Sequence, residues 1–323
     1  MVKIWGTAFS LIGDLIMSLP QLTYFKKKYN NAYINFVIHK KISYCAPLFY
    51  NHPKIDKIII SGEWSSFSSH DYKVASECDV VTTKLDHINK KILDRRHDDK
   101  FWYNHRDCIE ETALMSGIND FNKILTIDGK IPYLKKWFDT GFEDEQKKAA
   151  YTYEKEESKR NKILGKSLAI WPFAGYGRSK NRNPSEEWWS RLISKLTDNS
   201  INVYHFGYFK EPKLSRNKKY YHNLTNIDFF NQIKISLGCK LAIGTDSGSM
   251  WVLAAYNHPI IVLGTNWYDN HTENLKATIP PIKNGECIFN QNNFLNLRTD
   301  EVYDKILSYG VKNENIIYKI FKF

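Results

Sequence analysis

The strongest constraint in this chain is a rhythm. Short β-branched, apolar runs alternate with amphipathic or polar stretches along most of its length. In the first half the runs are Val2–Phe9, Ala32–Ile38, Ile55–Ile60 and Asp79–Thr83. In the second they are Ser167–Phe173, Ile201–Phe206, Lys240–Thr245 and Pro259–Gly264. Strands alternating with helices read as parallel α/β units joined by right-handed crossovers. A chain of 323 residues is long enough for about two domains. The two series therefore predict two Rossmann-like domains rather than one barrel. We expect an N-terminal domain over 1–160 and a C-terminal domain over 161–323. The junction is placed near Lys155–Leu164, inside the charged, β-poor stretch Gly141–Lys166. The aromatic, charged region His87–Ile118 reads as helical.

Composition removes several classes. With 42% hydrophobic and 15% aromatic residues the chain is not disordered. No apolar run approaches the roughly 18–20 residues of a membrane-spanning helix. Met1–Gly6 leads into a strand-like run without the regions of a secretory signal. Cys45, Cys78, Cys108, Cys239 and Cys287 are odd in number, scattered and free of any CxxC pair. That argues against a disulfide scaffold or zinc ribbon and predicts a cytoplasmic protein. The net charge of +11 is uneven: residues 1–160 carry 25 basic and 22 acidic side chains, residues 161–323 carry 21 and 13. Such a balance fits an enzyme of anionic substrates, a nucleic-acid binder or a protein resting on an anionic membrane face.

Three turns stand out. The first is Ser10-Leu11-Ile12-Gly13-Asp14, after the first strand. Gly13 permits close backbone approach to a ligand, and the following helix start offers N–H groups to an anion. Leu15, Ile16, Leu19, Leu22 and Phe25 supply an apolar helical face, and Pro20 forces a kink or restart, with Ser18 and Gln21 as a capping pair. Asp14 reads either as a helix cap or as a functional carboxylate at the carboxyl end of the strand.

The second is the loop 171–184, with Gly175 and Gly177 followed by Arg178, Lys180 and Arg182. A helix opens after it, with Asn183 as N-cap, Pro184 at N1, Glu186 at N3 and Trp189, Leu192, Ile193 and Leu196 on one face. Three cations at a strand end suit a diphosphate, against the plainer reading of a basic surface loop. The third is Gly244-Thr245-Asp246-Ser247-Gly248-Ser249, between the strand Lys240–Ile243 and an apolar helix Met250–Tyr256. Its hydroxyls and N–H groups suit a phosphate, or else Asp246 or Ser247 simply caps the helix. Glu211, after the strand Ile201–Phe206, reads on spacing as a solvated loop residue. His205, inside that strand, reads as a packed core histidine, and no histidines pair at metal-ligand spacing. Neither a P-loop nor a Gly-x-Ser-x-Gly elbow is present.

Taken in order, these pieces resemble the heptosyltransferase-like glycosyltransferases, the ADP-heptose:lipopolysaccharide group of glycosyltransferase family 9. Gly13-Asp14-(x)5-Pro20 resembles their N-terminal motif. Gly177–Pro184 resembles their Lys-rich loop ending in Trp-Pro, and Thr245–Met250 resembles their Asp-Ser/Thr-Gly-x-x-His motif. The likeness spans about Val2 to Gly264. It implies a GT-B architecture, two Rossmann-like domains facing across a cleft, and an inverting enzyme that needs no metal or other cofactor. It implies Asp14 as catalytic base. It implies Arg178, Lys180, Arg182, Thr245, Ser247, Gly248 and Ser249 around the donor phosphates, and Asp246 and Glu211 at the donor sugar and ribose. Two departures touch the donor side. Trp251 stands where the family has histidine, and the second loop reads Lys180-Asn181-Arg182-Asn183-Pro184.

The expected partners are a nucleotide-sugar donor and a glycan, lipid-linked or other hydroxyl acceptor. The competing readings are a nucleic-acid-binding protein, a glycosyltransferase acting on modified nucleic acid, and a GT-B sugar-nucleotide epimerase. The aromatic residues read as core rather than as interleaved with a basic stripe, which counts against nucleic acid. The tail Asn313–Phe323 reads as an amphipathic helix that crosses back to the first domain. Its rival role is peripheral contact with an anionic membrane, on the inner face.

Overall fold

A computed structural model of the chain describes residues 1–5, 12–30, 32–50, 52–61, 78, 80–81, 167–175, 182–217, 219–265, 282, 284–290 and 294–311. The readings placed on His87–Ile118, the 155–164 junction, Arg178, Lys180 and the tail Asn313–Phe323 lie outside these residues.

The first half contains β1 (Lys3–Trp5), α1 (Ile12–Ser18), α2 (Pro20–Lys28), β2 (Tyr33–His39), a 3-10 segment (Lys40–Phe49), β3 (Lys57–Ser61) and β4 (Val80–Val81). The second contains β5 (Leu168–Trp171), α3 (Glu186–Asp198), β6 (Val203–His205), β7 (Tyr221–Asn223), α4 (Phe229–Gly238), β8 (Leu241–Thr245), α5 (Gly248–Ala255), β9 (Ile260–Thr265), β10 (Gly285–Asn290) and α6 (Thr299–Ser308). The strands form two parallel sheets, ordered β3-β2-β1-β4 and β10-β9-β8-β5-β6-β7. In each, the order reverses beside the first strand: between β1 and β4, and between β5 and β8. The six-stranded order is that of doubly wound dinucleotide-binding sheets, which bind ligands at the carboxyl ends of the strands flanking the reversal.

Alternation along the second sheet divides its side chains between two cores. Leu168, Ile170, Leu241, Ile243, Ile261 and Leu263 face α3 and α6. Ala169, Trp171, Ala242, Ile260 and Val262 face α4 and α5, and this core continues into Ile4, Leu15, Ile16 and Phe36 of the first half. One apolar core thus joins the two sheets. α5 is apolar all round because it is enclosed, with the sheet on one side and α1 close by.

Local sequence accounts for the helix boundaries with some corrections. Pro20 does restart the helix, at N1 of α2, with Leu19 rather than Ser18 in the cap position. α3 is capped by Ser185, whose Oγ accepts from the Trp188 N–H at 3.1 Å, and not by Asn183. Asn183 Oδ1 instead accepts from the Ala174 N–H at 2.7 Å, closing the 171–184 loop across its base. The face expected of α3 is fully buried at Trp189, Leu192, Ile193 and Leu196. Burial of a large aliphatic side chain contributes about 1.5–3 kcal/mol, so these four residues alone anchor the helix.

Candidate active site

The turn after β8 is the best-defined part of the site. Thr245 ends the strand and is fully buried; Asp246 and Ser247 follow, and Gly248 is the first residue of α5. Ser247 occupies the N-cap position with extended backbone, but its side chain makes no capping bond. Thr245 Oγ1 and Ser247 Oγ are buried atoms with no hydrogen-bond partner among the described residues. Leaving such groups unpaired costs about 1–3 kcal/mol each, so two in one turn mark a place built to bond something else.

Asp246 is buried and occupied. Its Oδ2 accepts from the Arg182 guanidinium at 3.1 Å, and the Trp251 side chain also bonds the carboxylate. Burial nevertheless raises its pKa above the ordinary aspartate value, with Arg182 and Trp251 opposing. Arg182 was expected at the donor phosphates and Asp246 at the donor sugar; the structure joins the two to each other. Arg182 stays partly accessible, at 27%. The 171–184 loop is thereby tied to the turn before α5.

Across from this turn stands the start of α1. A Cβ on Gly248 would lie 2.8 Å from Ile12 Cβ and 3.3 Å from the Gly13 backbone nitrogen. A Cβ on Gly13 would lie 3.3 Å from the Trp251 ring. The first turns of α1 and α5 therefore touch, and at Gly248 only glycine fits. Each helix start carries a partial positive charge and N–H groups without helical partners. Asp14 is the third residue of α1, within this first turn. The position of Trp251 also gives its departure from the family pattern a physical role: the indole fills the seam between Gly13 and Asp246.

Two further expectations meet the structure differently. His205 is fully buried, as expected. Glu211 is buried rather than solvated: its Oε2 lies 3.2 Å from His205 Nε2, and its Oε1 accepts from the Tyr208 N–H at 2.8 Å. His205 Nδ1 lies 2.7 Å from the Tyr221 hydroxyl, which accepts from the Leu214 N–H. The bonds run consistently if Tyr221 donates to Nδ1 and Nε2–H donates to Glu211. Glu211 thus has its partners inside the protein.

Sequence reasoning did not single out the aromatic series Tyr44–Phe229–Trp171–Phe206, with ring centroids 5.3–5.9 Å apart along it. It links the 3-10 segment of the first half to Trp171, the last residue of β5. Trp171 Nε1 donates to Ser236 Oγ at 3.1 Å, fixing that ring. Among the described residues no group of three or more His, Cys, Asp or Glu side chains could hold a metal ion, and no helix is long and apolar enough to cross a membrane. Cys45 and Cys239 are buried thiols.

Comparison with solved structures places this arrangement. The chain matches E. coli ADP-heptose lipopolysaccharide heptosyltransferase II with a TM-score of 0.67 at 15% identity, over 96% of this chain and 98% of that one. The fold is that of the heptosyltransferases, GT-B. It also matches a family 9 glycosyl transferase from Veillonella parvula (TM-score 0.62, 12% identity, 95% of this chain and 97% of that). E. coli heptosyltransferase WaaC with ADP superposes with a TM-score of 0.58 at 15% identity, over 95% and 100% of the two chains. No protein-family model matches the sequence, and no curated protein matches it by sequence. The likeness to the heptosyltransferases thus resides in the fold.

Proposed function

We propose that this chain is an inverting, metal-independent glycosyltransferase that moves a sugar from a nucleotide-diphosphate sugar to a hydroxyl acceptor. The observation that carries the reading is the contact between the first turns of α1 and α5, each at the reversal point of its own sheet. Beside this contact the buried Thr245 and Ser247 hydroxyls have no partner among the described residues, and a diphosphate supplies acceptors for them. The hydroxyls of Thr245 and Ser247 donate to it, with the backbone at Gly248 and Ser249 approaching closely. In this reading Lys180 and Arg178, in the stretch that follows β5, bring cations to the same anion, and Arg182 is held beside it by Asp246.

The chemistry of this reading is an in-line displacement. The acceptor oxygen attacks the anomeric carbon from the face opposite the diphosphate. Its proton passes to Asp14 as the bond to the diphosphate oxygen breaks, and the electron pair leaves with that oxygen. Donor groups aimed at the departing diphosphate stabilise the charge it gains. In this reading residues 1–160 form the acceptor side, residues 161–323 hold the donor, and the acceptor is a glycan or lipid-linked glycan. WaaC is a neighbour solved with ADP, so ADP-sugars are the first donors to test.

The test is transfer of label from ADP-, GDP-, UDP- and CDP-sugars in excess chelator, with Asp14→Asn alongside. The expected result is label in an acceptor with inverted configuration, slowed about 10²–10⁴-fold in the variant. Full turnover by Asp14→Asn would remove Asp14 from the chemistry. Free epimerised sugar would replace transfer by epimerisation, and loss of activity to chelator would overturn metal independence.

A further inference from the structure

Parallel neighbours in a sheet are usually joined through a helix. The connection from β6 to β7, residues 206–220, has none among its described residues. Buried pegs hold it instead. Glu211 reaches inward to His205, Leu214 is 5% exposed, and the Leu214 N–H is bound by Tyr221. Gly207, at φ +148°, donates its N–H to Gln232 Oε1, and any Cβ there would collide with the Glu211 carboxylate. What lies between the pegs is therefore displayed by a fixed backbone.

The displayed residues are Tyr208 and Phe209, 51% and 61% exposed, with ring centroids 4.5 Å apart. Lys210, Lys213, Arg216 and Lys219 of the same loop are exposed, and Lys210 Nζ lies 5.6 Å from the Phe209 ring centroid. Residues 207–220 contain five cations and one acid, and that acid is the buried Glu211. An exposed aromatic pair in a stretch whose exposed charged residues, among those described, are all cations corrects the expectation that this chain does not interleave aromatic and basic residues.

We infer that this loop is a docking surface for an anionic lipid bilayer. The cations match anionic headgroups, and the aromatic pair supplies the apolar tip that enters the interface beyond them. Lysine stems lie along apolar surface while their heads stay at headgroup level. A single-stranded nucleic acid fits less well. The two rings are tilted 59° and pack on each other, forming a wedge rather than parallel platforms for successive bases. The loop leaves the carboxyl end of β6, the same end of the sheet that carries the turn after β8, so docking there holds the candidate site near the bilayer. The inference stands apart from the transfer reaction and is tested without it.

The test is co-sedimentation of the full chain with phosphatidylcholine vesicles containing about 30 mol% phosphatidylglycerol, at about 0.15 M salt. The expected result is binding that weakens about fivefold in the double variant Tyr208→Ser/Phe209→Ser and similarly in Lys210→Gln/Lys213→Gln. Leu295→Ser, which alters an isolated exposed side chain in the turn before α6, should bind as the parent does. Circular dichroism verifies that each variant is folded. Absence of binding to these vesicles, or binding by either double variant as tight as the parent's, overturns the inference. So does saturable binding of a single-stranded oligonucleotide, lost in Tyr208→Ser/Phe209→Ser, without vesicle binding.

Discussion

Asp246 and Glu211 make an instructive pair. Both carboxylates follow strands of the same sheet, two strands apart, and the family resemblance brings both to the donor. Both are buried, yet their partners differ. Glu211 and His205 are sealed, with side chains 2% and 0% exposed, and the bond between them holds the 206–220 loop to the sheet while Glu211 also fixes the Tyr208 N–H within the loop. Asp246 pairs with an Arg182 that is still partly open, next to two hydroxyls without partners. A sealed pair fixes a backbone; a half-open pair beside unpaired donors can reorganise when an anion arrives. The lesson is that similar position after a strand does not fix a carboxylate's role; the accessibility of its partner does.

Several measurements sharpen or break this contrast. Glu211→Ala leaves a buried imidazole and the Tyr208 N–H unpaired, and should cost about 3 kcal/mol, read as a lower urea midpoint. Nucleotide affinity of the folded variant should stay unchanged; a parallel loss would return Glu211 to the donor site. Gly248→Ala forces a methyl against Ile12 and should cost about 1–2 kcal/mol in spite of alanine's better helix propensity. Arg182→Gln leaves the Asp246 carboxylate without its cation, and should weaken nucleoside-diphosphate binding about tenfold, or 1.4 kcal/mol.

The smallest effect is one of pH. Asp246 has its pKa raised by burial, so the folded state binds this proton more tightly than the unfolded state does. Its ionised form is therefore a burden above the folded pKa, relieved as pH falls through that value. The stability of the parent relative to Asp246→Asn should rise on acidification toward the ordinary aspartate range. A difference independent of pH would mean that Arg182 fully offsets the burial.

Much of this architecture was legible in the chain. All eight apolar runs contain strands, because parallel strands covered on both faces read as continuous Val, Ile and Leu, and the edge strand β3 keeps the same Ile-rich run although Ile60 is exposed. The strands not expected are edge strands: β7 is only Tyr-His-Asn, and β10, Gly285–Asn290, is half-buried throughout, so neither carries a strong apolar signal. The turns after β1 and β8 were legible because glycine and small hydroxyl residues are needed where backbones approach. The pairings were not. Nothing in the spacing of Arg182 and Asp246, 64 residues apart, links them, and the Glu211–His205 bond depends on the loop turning inward at Gly207. The Gly13–Trp251 contact is likewise a product of the two sheets meeting, which no local pattern encodes.

The most direct test is thermal unfolding in the presence of ADP, GDP, UDP and CDP, with Thr245→Val and Ser247→Ala for comparison. At about 100 times its dissociation constant, a bound nucleotide should stabilise the parent by about 2.7 kcal/mol, and both variants should lose much of that gain. If none of the four shifts the transition, or the variants respond as the parent does, the two helix starts do not hold a diphosphate.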